Sequence, residues 1–403
     1  MIADAAALAL AAVALVLLAP AASDLLSVVR VALGVSRAAT DGRAGVERLL
    51  FLVPAHNEEL SLPTCLRSLQ RLRYPAKLIN ILVVADNCTD RTADIARAAG
   101  VRCLIRTAPD HPGKPHALAW ALSQVTLRDY DGVVIVDADT EVDRHFAAHL
   151  ASAGPLARKA VQPHNGVLNR SDNALTRMAA VLAAADHDLA YVWKTRAGLG
   201  VPLSAGMCIG SAVLAHYGWT AFSVCEDWEL YAILTERGIA IEEVPRARIY
   251  AQEAATLRGS ITQRRRWTAG KLAVLAARAG PLLRSRRIGF AKKLDALAEL
   301  SRPGPVVHLC IVTATLAALA GLHPPAARWL AVALLATLIR PAAYTIAAIV
   351  RDPEPWRAIR AFAFLPVYAG WRAWSVVTTL ATLGDKAWVR TARQRRPELP
   401  HQP

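Results

Sequence analysis

Between Leu49 and about Arg248 the chain alternates short aliphatic runs with stretches of helical spacing, and this alternation narrows the possible folds most. LLFLVPA, LINILVVAD, VRCLIR and GVVIVDAD are bounded by Pro, Asn, Gly and Asp, the pattern of buried strands. CTDRTADIARAAG carries Thr and Asp near its start and Gly100 at its end, which predicts a helix, and KPHALAWAL predicts another. Strand and helix in alternation imply a mainly parallel α/β sheet. Ligands of such sheets bind beyond the carboxyl ends of the strands. Asp86 and Asp137 both end predicted strands, so both are expected to face one crevice.

The flanks differ in character. Hydrophobic residues make up 54% of the 403, above the roughly 45–50% of soluble chains. Ile2 to Ala22 is apolar except for Asp4, about the length that spans a bilayer. Its first residues carry no Lys or Arg, which argues against a secretory signal and for an uncleaved anchor. Arg30, Arg37 and Arg43 follow it, so the positive-inside rule places the next domain in the cytosol. After Gln252, apolar and basic residues interleave at helical spacing up to about Arg302, as in helices lying on a membrane face. Pro305–Leu322 and Trp329–Val350 are expected to cross, joined by the turn HPPAAR; Arg340 in the second must snorkel or face protein. Trp356–Leu383 contains Pro366 and Arg372 and precedes a basic tail, so an in-plane or re-entrant course is expected. The expected divisions are an anchor at 1–24, a catalytic domain at 45–255, interface helices at 256–302, two spans at 303–350, a third apolar segment at 351–385 and a tail at 386–403. The formal charge of +15 suits an anionic membrane face or a polyanionic ligand. Six scattered cysteines signal neither a zinc site nor a disulfide framework, which fits a reducing compartment.

Four stations carry potential chemistry. VPAHNEE (Val53–Glu59) reads as a strand end and then a helix start, where Asn57 and Glu58 could simply cap the helix. VVADNCTD ends a strand at Asp86, which can accept hydrogen bonds from a base or ribose or serve an ordinary Asx turn. In VVIVDADTEV, Asp137 and Asp139 leave an aliphatic strand side by side. Like charges so close call for a cation between them, and a hard divalent ion there can hold diphosphate oxygens as well. VCEDWEL places Asp227 just inside a helix, followed by QRRRW, Gln263 to Trp267.

That ordered series, together with PGKPHALAWAL and SAGMCIGSAVL, resembles the membrane-bound family 2 glycosyltransferases: cellulose, chitin-oligosaccharide and poly-N-acetylglucosamine synthases and ceramide glucosyltransferases. The resemblance runs from about Leu49 to Trp267. It implies a GT-A, Rossmann-like catalytic domain in the cytosol plus α-helical transmembrane segments at the plasma membrane. It also implies that Pro54, His56, Glu58, Asp86, Lys114 and Asp137 bind the donor nucleotide-sugar, a UDP-sugar by analogy. Asp137 and Asp139 would engage its diphosphate through Mg²⁺ or Mn²⁺, and Asp227 would be the general base. Glu226, Gln263, Arg266 and Trp267 would serve the departing diphosphate and the acceptor, with Gln263 in the same loop as Arg266.

The expected partners are a glycan or lipid acceptor and the membrane, not nucleic acid. Single displacement with inversion needs only one carboxylate base. Cys225 stands where the polymer synthases commonly have threonine, and the membrane block is short, so polymer synthesis and single-sugar transfer to a lipid both stay open. A haloacid dehalogenase-type phosphatase also has a strand followed by D-x-D. Glu141, and the strands ahead of the motif, disfavour it. A non-enzymatic basic membrane protein leaves the order of the acids unexplained.

Overall fold

The computed structural model describes residues 2–35, 46–322 and 327–381. In chain order its elements are α1 (Ile2–Ala32), β1 (Leu49–Ala55), α2 (Leu62–Gln70), β2 (Ile79–Asp86), α3 (Thr92–Ala98), β3 (Arg102–Arg106), α4 (Lys114–Ser123) and β4 (Gly132–Ile135). Then come β5 (Thr140–Val142), α5 (Phe146–Ala151), β6 (Ala160–Val167), α6 (Ala174–Ala184), α7 (Tyr191–Arg196), β7 (Cys208–Gly210), α8 (Ser211–Tyr217), α9 (Glu226–Glu236) and β8 (Ile241–Ala251). The rest is helical: α10 (Leu257–Arg284), α11 (Phe290–Ser301), α12 (Pro305–Leu322), α13 (Ala327–Thr337), α14 (Ile339–Arg351), α15 (Pro355–Ala361) and α16 (Leu365–Ala381).

One sheet runs β3-β2-β1-β4-β7-β6-β8-β5. The first four strands are parallel neighbours, joined by crossover helices as the alternation predicts. Beyond β4 the sheet is mixed: β7 is antiparallel to β4 and β6, β8 is parallel to β6, and β5 is antiparallel to β8. Strict alternation therefore ends at β4. Successive residues of β1 serve opposite faces. Leu50 and Leu52 pack into the core that holds Leu118 and Tyr231, while Leu49, Phe51 and Val53 pack into the one that holds Leu66 and Phe146. Both faces are covered, which is why β1 is apolar throughout instead of alternating. The strand order reverses at β1, between β2 and β4, the kind of switch point at which ligands of such sheets bind.

The helical half departs from expectation in several places. α1 continues past Ala22 to Ala32, and its last turns dock on the sheet domain through Arg30 Nε, which donates to the Ala197 carbonyl at 2.8 Å. Leu8–Ala32 and the continuous pair α13–α14, Ala327–Arg351, are long and apolar enough to cross a membrane. α11 and α12 are long and apolar enough together but bend by 81° at their junction, a broken span or a re-entrant loop. Arg340 faces protein, paired with Asp24 of α1. The connection at 323–326 and the tail from 382 onward lie outside the described residues.

Buried ion pairs fasten these helices to the sheet domain. Lys194 of α7 lies 2.8 Å from Asp295 and 2.6 Å from Glu299, both on α11. Arg302 joins Glu299 to Asp186 at 2.8 Å each. Breaking such a pair leaves an uncompensated buried charge, which typically costs about 3–5 kcal/mol.

Candidate active site

The crevice is built from the carboxyl ends of β1, β2 and β4 and from the start of α9. At its first end Asp86 is 4% exposed. Arg106 Nη1 sits 2.5 Å from its Oδ1, because the parallel register sets Asp86 opposite Arg106 on β3. Arg106 Nη2 also donates to the His111 carbonyl at 2.8 Å. The His56 ring contacts the Asp86 carbonyl at 2.7 Å, and Pro54 lies one residue before the end of β1. Asn57 and Asn87, each directly past this end of the crevice, hold φ of 55° and 48°. Asparagine tolerates that left-handed region better than most side chains. Both are locked, Asn57 Oδ1 accepting from Thr89 N at 2.8 Å and Asn87 Oδ1 from Ala108 N at 2.7 Å.

Asn57 and Glu58 therefore do not cap a helix. α2 begins at Leu62 behind Ser61, and Glu58 lies in the preceding loop, where its N–H donates to Thr92 Oγ1 at 2.8 Å.

At the middle of the crevice, Asp137 and Asp139 leave β4 in a tight turn. Thr140 N and Thr140 Oγ1 both donate to the Asp137 carbonyl, at 3.0 and 2.7 Å. Burial first, then the negative field of Asp139, Asp137, Glu141 and Glu58, pushes the Cys65 thiol well above its usual range. A concentrated acidic field marks this strand end. Among the described residues no three of His, Cys, Asp and Glu could hold a metal ion together. Asp137 and Asp139 stand one residue apart at this strand end. Two carboxylates fit Mg²⁺ or Mn²⁺, hard ions that take oxygen and fill their remaining positions with water and substrate phosphate.

Lys114 joins this middle to the far end. Gly113, at φ 106°, turns the chain into α4 so that Lys114 stands in its first turn. Its Nζ lies 2.6 Å from Asp137 Oδ1 and 3.0 Å from Glu226 Oε1. Although burial opposes charge, the two carboxylates hold the ammonium well above its ordinary pKa. Asp227 follows Glu226 and accepts from Trp228 N at 2.8 Å. Burial, then the neighbouring Glu226 charge, raises its carboxyl to about 7, while Lys114 opposes the rise.

Gln263, Arg266 and Trp267 are on the long helix α10, not in a loop. That helix crosses the start of α9 closely enough that a Cβ on Gly270 would stand 2.2 Å from Cys225 Sγ. The crossing sets the Arg266 carbonyl 3.8 Å from the same sulfur. Arg266 Nε is buried with no hydrogen-bond partner among the described residues. Trp267 is 40% exposed beside it. The structure therefore brings together Asp137, Lys114, Glu226 and Asp227 directly, and Arg266 and Trp267 through the α9–α10 crossing.

Three contributors escape a reading of the sequence. Arg106 had a faint signal, a basic residue closing an aliphatic strand. Glu229 accepts from Phe222 N and Ser223 N at 2.9 and 2.8 Å and pairs with Arg278 at 2.8 Å, fixing the loop ahead of Glu226. Lys271, whose pKa burial lowers to about 7, places its amino group 4.0 Å from the Trp228 ring centroid and donates to the Arg302 carbonyl at 2.8 Å, bracing the residue next to Asp227. Neither of the last two has a local pattern.

The comparisons identify the class to which this fold belongs. The family model described as "Glycosyltransferase like family 2" matches residues 47–270, and the chain belongs to that family. Among curated proteins it is 26% identical over 236 residues to the probable glycosyltransferase YdaM of Bacillus subtilis, covering 55% of each chain. It is 23% identical over 272 residues to glucomannan 4-beta-mannosyltransferase 7 of Arabidopsis thaliana, covering 62% of this chain and 48% of the other. The chain spans about half the length of these relatives. A solved mannosyltransferase, PcManGT of Pyrobaculum calidifontis in complex with GDP-Man and Mn²⁺, shares the fold at a TM-score of 0.56. Its identity is 20%, with 94% of this chain and 96% of that one covered.

Proposed function

We propose that the protein is a membrane-bound, inverting glycosyltransferase. It moves a sugar from a nucleoside diphosphate to a hydroxyl of a glycan or lipid acceptor, with the catalytic crevice on the cytosolic side of the plasma membrane. The observation that carries this reading is the Lys114 bridge from Asp137 to Glu226, which sets the strand-end acids beside Asp227. The sugar nucleotide and Mn²⁺ bound by the archaeal mannosyltransferase support the donor class and a divalent ion. The two long apolar helices support membrane attachment.

In this reading Asp86, held rigid by Arg106, receives the base or ribose, with Pro54, His56 and Glu58 lining that end. Asp137 and Asp139 would hold Mg²⁺ or Mn²⁺, whose positive charge lowers the cost of the charge building on the leaving diphosphate. Lys114 and the free Nε of Arg266 add fixed positive charge around the same oxygens. Asp227 accepts the acceptor hydroxyl's proton as the new bond to the anomeric carbon forms and the bond to the diphosphate breaks. The nucleoside diphosphate departs. Glu226 and Asp137 are both tied to Lys114, leaving Asp227 as base without a second carboxylate as nucleophile, which favours one displacement with inversion. Gln263 and Trp267 stand on the acceptor side.

Membranes carrying the protein, incubated with UDP-, GDP- and dTDP-sugars and Mn²⁺, should transfer sugar from one of them with inverted configuration. Absence of transfer from every donor, or a retained configuration, overturns the proposal. Product length separates chain building from a single addition.

A further inference from the structure

The start of α4 and the loop before α9 close on each other at two points. One is the Lys114–Glu226 ion pair at 3.0 Å. The other is a ring contact, His116 to Phe222, with centroids 5.2 Å apart and planes at 39°. Lys114 and His116 share the first turn of α4, and Phe222 lies four residues before Glu226. A third ring, His111, stands 5.6 Å from His116, and its carbonyl accepts from the Arg106 that holds Asp86. The three rings thus form a row leading from the Asp86 end of the crevice toward the acid at Asp227.

Phe222 is 48% exposed and Val224 52%, whereas Trp219 and Ala221 just ahead are buried. A single exposed apolar residue needs no explanation. This one differs in how it is held. Both Phe222 N and Ser223 N donate to Glu229, which Arg278 fixes in turn. The ring is presented by an anchored backbone, so little ordering is left to lose when a ligand settles on it.

We propose that Phe222, backed by His116, is a stacking platform for a pyranose ring of the acceptor, which makes the acceptor a saccharide. This deepens the glycosyltransferase reading above and rests on it. A pyranose has a C–H face and a rim of hydroxyls. The phenyl face takes the first, and the imidazoles beside it can donate to or accept from the second. A lipid chain needs continuous apolar area, whereas the Phe222 ring is flanked by His116 in space and by Ser223 in sequence. Phe222 lies four residues ahead of Glu226, and the ring contact and the Lys114–Glu226 pair hold both against the same turn of α4.

Binding of cellohexaose, mannohexaose and chitohexaose to the full chain in detergent, followed by saturation-transfer NMR and calorimetry, tests this without relying on turnover. Wild type should bind at least one of them. Phe222→Ala should weaken that binding about tenfold while Phe222→Trp stays within about threefold, with thermal melts checking the fold of each. No saccharide binding by wild type, or equal binding by Phe222→Ala, overturns the platform. So does a loss in UDP or GDP affinity as large as the loss in saccharide affinity, because the ring would then serve the donor. Exclusive binding of vesicle lipid overturns it as well. Failure of sugar transfer in the donor panel counts against the enzymatic reading, and the binding result still decides the platform.

Discussion

Asp86 and Asp227 are the same residue type set in opposite surroundings. Asp86 is buried against Arg106, its Oδ1 accepts from Asn87 Nδ2 at 3.1 Å and its own carbonyl meets the His56 ring. The Asp227 carboxyl is raised to about 7 by burial first and then by its like-charged neighbours Glu226 and Asp137, with Lys114 and the Trp228 N–H opposing the rise. A paired acid is a fixed hydrogen-bond acceptor; an acid crowded by its own kind is a proton acceptor poised near neutral pH. The difference lies in what the fold brings alongside.

Substitution breaks this comparison in graded ways. Asp227→Asn should cost about 10³-fold or more in transfer rate, since a general base contributes roughly 10²–10⁴. It should also raise stability at pH 8. The folded carboxyl keeps its proton up to about 7 while the unfolded chain releases it near 3.8, so stability falls as pH rises between those values. Removing the charge should lift the melting temperature at pH 8 by about 2–4 °C. A rate within tenfold of wild type sinks the base assignment.

Asp139→Asn, or chelation of wild type, should lower transfer about 100-fold. Added Mn²⁺ or Mg²⁺ should rescue the chelated enzyme and not the variant. Activity that survives chelation would remove the metal from the scheme. Asp86→Asn should act at the other end, raising the donor KM about tenfold and changing kcat little, because ground-state and transition-state binding weaken together. A lower kcat at unchanged KM would contradict that role.

The smallest effect expected is a shift in pH dependence. Transfer should climb with pH and level off above about 7, as Asp227 loses its proton. Lys114 holds that value down, so Lys114→Met should move the midpoint upward by about one unit, read from kcat/KM profiles. An unmoved midpoint would mean Lys114 does not act on Asp227.

β1 through β4 were legible because a strand buried on both faces must be apolar throughout, and such runs stand out. β5 and β7 have three residues each, too few to show a period. β6 carries Pro163 and His164 at a register shift, and β8 mixes Glu and Arg into its length. These lie in the mixed half of the sheet, where pairing and not composition decides the strand. The candidate acids stand out in the sequence for a similar local reason: Asp86 ends β2, Asp137 lies two residues past β4 and Asp227 is in the first turn of α9. Their partners do not. Arg106 meets Asp86 through strand register, Lys114 meets Glu226 across the crevice, and Cys225 meets Gly270 where two helices cross.

The sequence alone determined where the strands of the parallel half lie, which acids end them and that apolar helices flank the domain, because each is written in neighbouring residues. The tertiary structure alone decided that one lysine joins two distant acids, that Asp86 is paired and that Asp227 is crowded. Those depend on register and crossing geometry, which act between segments far apart in the chain, and distance in space is what sets the strength of a charge–charge interaction.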